Sequence, residues 1–305
     1  MSGDFLQQLD AEFDKLLEFD EEPRTLLYHY TSASGFQGIA ATRKLRCTDA
    51  LHTNDYKEIR AADEVIRKSL QVRQVYLGGR EPRATLYDTL IKIKRYADEH
   101  ILKKSAIYLA CFCKERTLLS QWRAYGDNGH GYCIGISHDG LETATYDNLS
   151  PTLASVLYGP KEVEQGFCGR LDKLCATLDH GWSSLPQSDQ VTAINRAYNY
   201  VLMIAAKYAV RSKHIAFREE NEQRLILAPI PGTDRPLFKA DGRGSLVPYR
   251  EIAFNGNVWL SEVWIGPAQD EEIGRKTVES FLRAKGYDPT MIKIRRYDAP
   301  YRAMR

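Results

Sequence analysis

No stretch of this sequence approaches the roughly 20 consecutive apolar residues that a membrane-spanning helix needs. Its opening, Met1 to Pro23, is acidic and amphipathic and lacks the basic start and apolar centre of a secretory leader. No pair among its six cysteines, Cys47, Cys111, Cys113, Cys133, Cys168 and Cys175, has the Cys-x-x-Cys spacing of a zinc site. Cys111-Phe112-Cys113 is instead the alternation of an apolar strand. These absences lead us to expect reduced, mostly buried thiols, a cytoplasmic location, no membrane contact and no bound metal. A formal net charge of +2 lacks the basic excess of a dedicated nucleic-acid binder. There is no internal repeat, no low-complexity tract and no long polar linker.

What is present is an ordinary folding composition, with 43% hydrophobic and 27% charged residues over 305 positions, enough to bury a sizeable core. Residues 4–20 carry an apolar stripe at helical spacing, Phe5, Leu6, Leu9, Phe13, Leu16 and Leu17. Docking on its own chain is the commoner outcome for such a helix. Thr25 to Tyr30 reads as a strand and Gly35 to Leu45 as a short helix; residues 55–75 and 82–103 read as longer helices. Strand patterns follow at Ala106–Phe112 and Gly131–Ser137, while 152–158 and 161–164 are ambiguous. Residues 166–212 are mainly helical, with a break at Ser183-Ser184 and Pro186. Strand patterns return at 222–228, 246–253 and 258–265, and Asp270 to Lys285 is a helix stopped by Gly286, ahead of a final strand. Two clusters of strands separated by helices predict an α+β fold with a mixed or antiparallel central sheet and flanking helices. The expected organisation is an N-terminal amphipathic helix, 1–22, and one catalytic or ligand-binding domain, 23–305.

Three blocks carry the candidate chemistry, and we expect them to converge on one polar pocket. The first is Tyr28-His29-Tyr30-Thr31-Ser32, where a histidine and hydroxyls at a strand end can hydrogen-bond a ribose or an amide edge. Alternation points His29 away from Tyr28 and Tyr30, and its plainer role is to cap the following turn. Nearby, Asn54, Asp55 and Glu58 have the spacing of a helix capping box. The second block runs from Leu119 to Tyr132. Trp122 and Tyr125 share a helical face, large aromatics beside glycines can sandwich a planar ring, and Arg123 can pair with a phosphate. Its plainer reading is a helix packed on the sheet, with Trp122 in the core. The third block is Phe217 to Ile226. If 220–226 is a strand, Glu220, Glu222 and Arg224 share a face, and the like charges need a cation or a ligand between them. The plainer reading here is a solvated edge strand with a surface ion pair.

The order of these blocks resembles a widespread prokaryotic family catalogued as domain of unknown function 2971. The resemblance is carried by His29, Asn54-Asp55-Glu58, Trp122-Tyr125-Gly131-Cys133, Glu220-Glu222-Arg224 and Tyr301-Arg302. The sequence departs from the pattern at His52-Thr53, where an apolar approach is usual, and at Phe217, where tryptophan is usual. The Tyr-His-Tyr-Thr opening and the Glu220-Asn221-Glu222 spacing are also similar to motifs of ADP-ribosyltransferase-type folds.

That second resemblance implies an NAD-dependent ADP-ribosyltransferase or NAD glycohydrolase, a toxin or a phage-defence effector, with NAD as substrate. Carried over, Glu222 is catalytic, Glu220 assists the acceptor, and His29 holds the ribose. Tyr30 and Thr31 join His29 in binding NAD, Tyr125 stacks on the nicotinamide, and Arg123 or Arg224 holds the pyrophosphate. The acceptor is a protein, a nucleic acid or water, and an antitoxin or other partner protein goes with the toxin reading. Two other classes compete: a non-catalytic nucleotide sensor, and a metal-dependent nuclease using Asp55, Glu58, Glu220 and Glu222. A basic run at 205–218, including Lys207, Arg211, Lys213, His214 and Arg218, suits a nucleic-acid acceptor or a solvated helix face.

Overall fold

Helical and strand periodicities alternate along the chain, and most are realised close to where the pattern places them; residues 98–103 of the helix expected over 82–103 lie outside the described residues. The structure is a computed structural model that describes residues 2–18, 26–53, 56–77, 82–97, 106–147, 149–229, 233–240 and 244–299. In chain order the elements are α1 (Ser2–Leu17), β1 (Leu26–Thr31), α2 (Ala33–Thr42), β2 (Lys44–Asp49), α3 (Tyr56–Leu77), α4 (Arg83–Ala97) and β3 (Tyr108–Cys113). There follow α5 (Leu119–Ala124), β4 (Tyr132–Ser137), α6 (His138–Glu142), β5 (Leu149–Ser155), β6 (Leu157–Tyr158), α7 (Pro160–Gly181) and α8 (Gln187–Ala209). The chain closes with β7 (Ser212–Lys213), β8 (Glu222–Pro229), β9 (Leu237–Ala240), β10 (Leu246–Ala253), β11 (Leu260–Ile265), α9 (Glu271–Ala284) and β12 (Lys293–Arg296). The fold is α+β, with a mixed, mostly antiparallel sheet. The boundary expected at residue 22 lies outside the described residues.

The chain forms two compact units, the first made of Met1–Asp20, Ala50–Ile107 and Val156–Phe217. This unit is helical, with α1 laid against α7 and α8. The apolar stripe of α1 explains the contact, because Leu9, Phe13 and Leu16 are all buried and the Phe13 ring meets Tyr200 edge-on at 5.0 Å. Polar groups fix the same helix in register: Arg196 donates to the Leu6 carbonyl at 3.0 Å and pairs with Asp10, and Tyr200 donates to Asp14 at 2.6 Å. At the end of α1, Lys207 donates to the Leu17 carbonyl at 3.1 Å, and burial pulls its pKa down to about 8. The basic run at 205–218 is therefore not a solvated face, since Arg211 and Lys213 are buried and only its later members, such as His214 and Arg218, are exposed.

The second unit, Glu21–Asp49, Tyr108–Ser155 and Arg218–Arg305, holds a ten-stranded sheet. Its main path runs β12-β11-β4-β1-β3-β2-β10-β9, with β8 and then β5 added along the other edge of β3. All pairs within this sheet are antiparallel except β11 with β12. Two strands share one edge of β3: β1 meets it only at Tyr28 opposite Cys113, and β2 only at Thr48 and Asp49. Between those points β1 follows β4 and β2 follows β10, so the sheet parts along the stretch of β3 from Ala110 to Phe112.

Local chemistry explains where elements differ from expectation. The helix expected at 35–45 ends at Thr42 because Arg43 turns left-handed (φ 54°), which frees residues 44–49 to form β2. In the region 161–164, Pro160 stands at the first turn of α7, where its missing N–H costs nothing. The strand expected at 222–228 is found at Glu222–Pro229, and the condition that it reaches back to 220 is not met, because Asn221 is also left-handed (φ 45°) and breaks the alternation that would align Glu220 with Glu222.

Candidate functional site

Register decides which candidate side chains share a surface. In an antiparallel pair, residues directly opposite project to the same face. On one face of the sheet this aligns Glu262 and Trp264 of β11 with Gly135 and Cys133 of β4, and these with Tyr28 and Tyr30 of β1. The same face continues through Cys113 and Cys111 of β3 to Glu222 and Arg224 of β8. His29 falls on the other face, with Phe112 and Gln223, and its ring meets Phe112 at 6.1 Å.

The three sequence blocks meet through Tyr30, Trp122 and the Glu220 carbonyl, with Cys113 as the link between them. Tyr30, Trp122 and Cys113 form one buried cluster with Tyr28 and Cys133. Trp122 is fully buried and meets Tyr30 edge-on at 5.1 Å, so the second block contributes a core anchor there. Tyr30 donates to the Glu115 carbonyl at 2.9 Å. The Cys113 thiol donates to the Glu220 carbonyl at 2.9 Å and accepts from the Glu115 amide at 3.2 Å, which pins the turn entering β8 to the end of β3. Burial pushes that thiol up to about 12, so it acts as a neutral hydrogen-bonding pin and not as a thiolate.

The third block is the most unusual electrostatically. β8 lies between β3 and β5 and is not an edge strand. Glu220, Glu222, Gln223 and Arg224 are 8%, 6%, 1% and 0% exposed, which overturns the solvated-edge reading. Arg224 donates to both carboxylate oxygens of Glu222, at 2.7 and 3.4 Å, in a fork geometry. Burying such a pair costs desolvation free energy that an apolar pair would not, so its presence on an internal strand marks a specialised position.

Other candidates stand apart from this centre. His29 sits half-buried with Nδ1 3.0 Å from the Cys111 carbonyl, where it bridges β1 and β3 at the parting of the sheet. Burial lowers its pKa, against the opposing effect of that hydrogen bond. Tyr125 is 42% exposed at the end of α5, and Arg123 is exposed on the same helix. Of the three residues expected to meet in one cleft, His29, Tyr125 and Glu222, strand alternation sends His29 to the face opposite Glu222. Thr31 ends β1 against the glycine turn, since a Cβ at Gly131 would lie 2.3 Å from its carbonyl oxygen. Asn54, Asp55, Tyr301 and Arg302 lie outside the described residues, as does the side chain of Glu58.

Sequence reasoning missed a second polar group on the shared face. Glu262 accepts from Trp264 Nε1 at 2.7 Å, Lys293 Nζ at 3.1 Å and Tyr28 Oη at 3.2 Å. Burial works to raise this carboxyl, but the three donors and the Lys293 charge outweigh it and hold the pKa below the ordinary value. Gly135 makes the approach feasible, since a Cβ there would meet Glu262 Cβ at 3.0 Å and the Tyr28 ring at 3.2 Å. Arg116 lies over Trp264 at 4.8 Å and over Tyr28 at 5.9 Å. A signal was present in VWLSEVWI, where Glu262 and Trp264 alternate with buried apolar residues.

Residues 121–225 match the model of a family described as a protein of unknown function, DUF2971. The matched stretch begins at the core anchor of the second block, Gln121-Trp122, and ends within β8 just past Arg224. It thus contains Glu220, Glu222 and Arg224, while β1 and β11 fall outside it. No curated protein and no solved structure matches the chain.

Proposed function

We propose that the second unit is an enzyme that transfers or hydrolyses the ADP-ribosyl group of NAD, with Glu222 as the catalytic carboxylate. The observation that carries this reading is the pair of buried carboxylates Glu220 and Glu222, the second of them clamped by Arg224. The Arg224 charge favours an ionised Glu222. An ionised carboxylate beside C1′ of the ribose stabilises the positive charge that develops as the bond to nicotinamide breaks. The electron pair of that bond leaves with nicotinamide; an acceptor hydroxyl or water then bonds to C1′ and loses its proton. Glu220 is the base assigned to that proton. The resemblance of the Glu-x-Glu segment to an ADP-ribosyltransferase motif supports NAD as the substrate. The six free thiols suit a reducing compartment.

The test is release of free nicotinamide from NAD by the purified chain, with NAD binding measured alongside. Glu222→Gln is expected to lower release by about 10²- to 10³-fold, as for other lost electrostatic stabilisers. His29→Ala is expected to retain most of it, because His29 faces away from Glu222. A wild-type protein that neither binds NAD nor releases nicotinamide would overturn the proposal.

A further inference from the structure

The aromatic site on β11 contains a cation, Arg116, that no carboxylate among the described residues pairs with. Three charged side chains meet there: Glu262, Lys293 and Arg116. Glu262 already takes its hydrogen bonds from Trp264, Lys293 and Tyr28. Arg116 has no carboxylate within ion-pairing distance among the described residues, and its side-chain hydrogen bond is a long one of 3.4 Å from Nη1 to the Tyr28 hydroxyl. Its Nε is buried without a hydrogen-bond partner. The guanidinium lies over the Trp264 ring, and Lys293 Nζ stands 5.1 Å from the same ring, so two cations share one indole against one carboxylate.

A half-buried guanidinium with no carboxylate partner among the described residues is costly, and cation–π contacts recover only part of that cost. The geometry supplies what an oxyanion needs. A planar fork is held by an aromatic stack at the end of β3, and a second cation stands on the same ring. The competing candidates for this role are less suited: Arg224 is fully buried and committed to Glu222, and Arg123 is exposed on α5.

We propose that Arg116, braced by Trp264 and Tyr28 and assisted by Lys293, is the binding residue for a phosphate group of the ligand. Identifying that ligand as a dinucleotide rests on the glycosyl-transfer reading above; the oxyanion chemistry does not. Arg116 follows Cys113 by three residues, and Cys113 lies opposite Glu222 in the sheet. Arg116, just beyond β3, and Glu222, on β8, thus both belong to the Cys113 end of β3.

Isothermal titration of the full chain with ADP-ribose, inorganic pyrophosphate and adenosine tests this. Arg116→Gln is expected to weaken ADP-ribose and pyrophosphate by about tenfold or more, with adenosine unchanged, and Arg116→Lys is expected to fall between. Where Arg116→Gln does not fold, Arg116→Lys, which keeps the charge and loses the planar fork, decides on the same readout. Wild-type affinity for both phosphate ligands in the variants, or no pyrophosphate binding by the wild type, would overturn the assignment and leave Arg116 as a structural stack. Pyrophosphate held through Arg116 in a protein that neither binds NAD nor releases nicotinamide would keep this site and discard the glycosyl-transfer reading. Nicotinamide release that depends on Glu222 but not on Arg116, with phosphate binding intact in the variants, would do the reverse.

Discussion

His29 illustrates how one side chain's direction can redistribute roles. Sequence order places it beside Tyr28 and Tyr30, and the strand then turns it to the face that carries Phe112. There its Nδ1 meets the Cys111 carbonyl, and burial favours the neutral ring. A lowered folded-state pKa means that below about 6.5 the unfolded chain binds more protons at this site than the native one. Its contribution is therefore present above about pH 6.5 and lost as the pH falls through that value. Denaturant unfolding at pH 5.5 and 7.5 is expected to show a smaller acid loss in His29→Gln than in the wild type. Equal losses in the two proteins would mean that His29 is not held neutral. The same directional logic accounts for what the residue pattern concealed. Glu222 and Arg224 were legible as a same-face pair two apart, whereas their burial came from strands β3 and β5, which no local pattern announces.

At the scale of elements, the glycine turn between α5 and β4 is built from close backbone approaches. Asp127, Asn128 and Gly129 all take positive φ (51°, 49° and 80°), so three successive residues wind left-handed before β4 begins. A Cβ added at Gly131 would lie 2.3 Å from the Thr31 carbonyl oxygen and 2.9 Å from the backbone of Gly126, and neither can yield as a flexible side chain would. Gly131→Ala is expected to destabilise the protein by about 1–3 kcal/mol or more, read from the denaturant midpoint, because it pushes β1 from the turn. An unchanged midpoint would show that the turn relaxes freely. The glycines were visible in the sequence as a break; that one of them seats the end of β1 was not, since the contact spans a hundred positions. Helices were the most legible elements, from the stripe of α1 to α9, whose N-cap Asp270 accepts from the Ile273 amide at 2.8 Å. β2 was lost to helical expectation because a single left-handed residue, Arg43, marks the change.

For the molecule as a whole, the α+β class followed from two clusters of strand patterns, while the strand order did not. Its neighbours are far apart in sequence, as with β8 beside β3 and β10 beside β2. Such pairings must close long loops before they gain anything, and a chain of this length ordinarily passes through intermediates. Refolding from denaturant, followed by stopped-flow tryptophan fluorescence, is expected to be multiphasic and to extend to seconds. A single fast exponential would argue against that view. Among the described residues, no helix is long and apolar enough to cross a membrane.

The shared edge of β3 has a mechanical meaning as well. Since β1 grips it at a single position, Tyr28 opposite Cys113, tension applied across the sheet would load that one junction before any full ladder. The His29 bridge to Cys111 is then a stitch placed one residue beyond the rivet, at the tip where a crack would start.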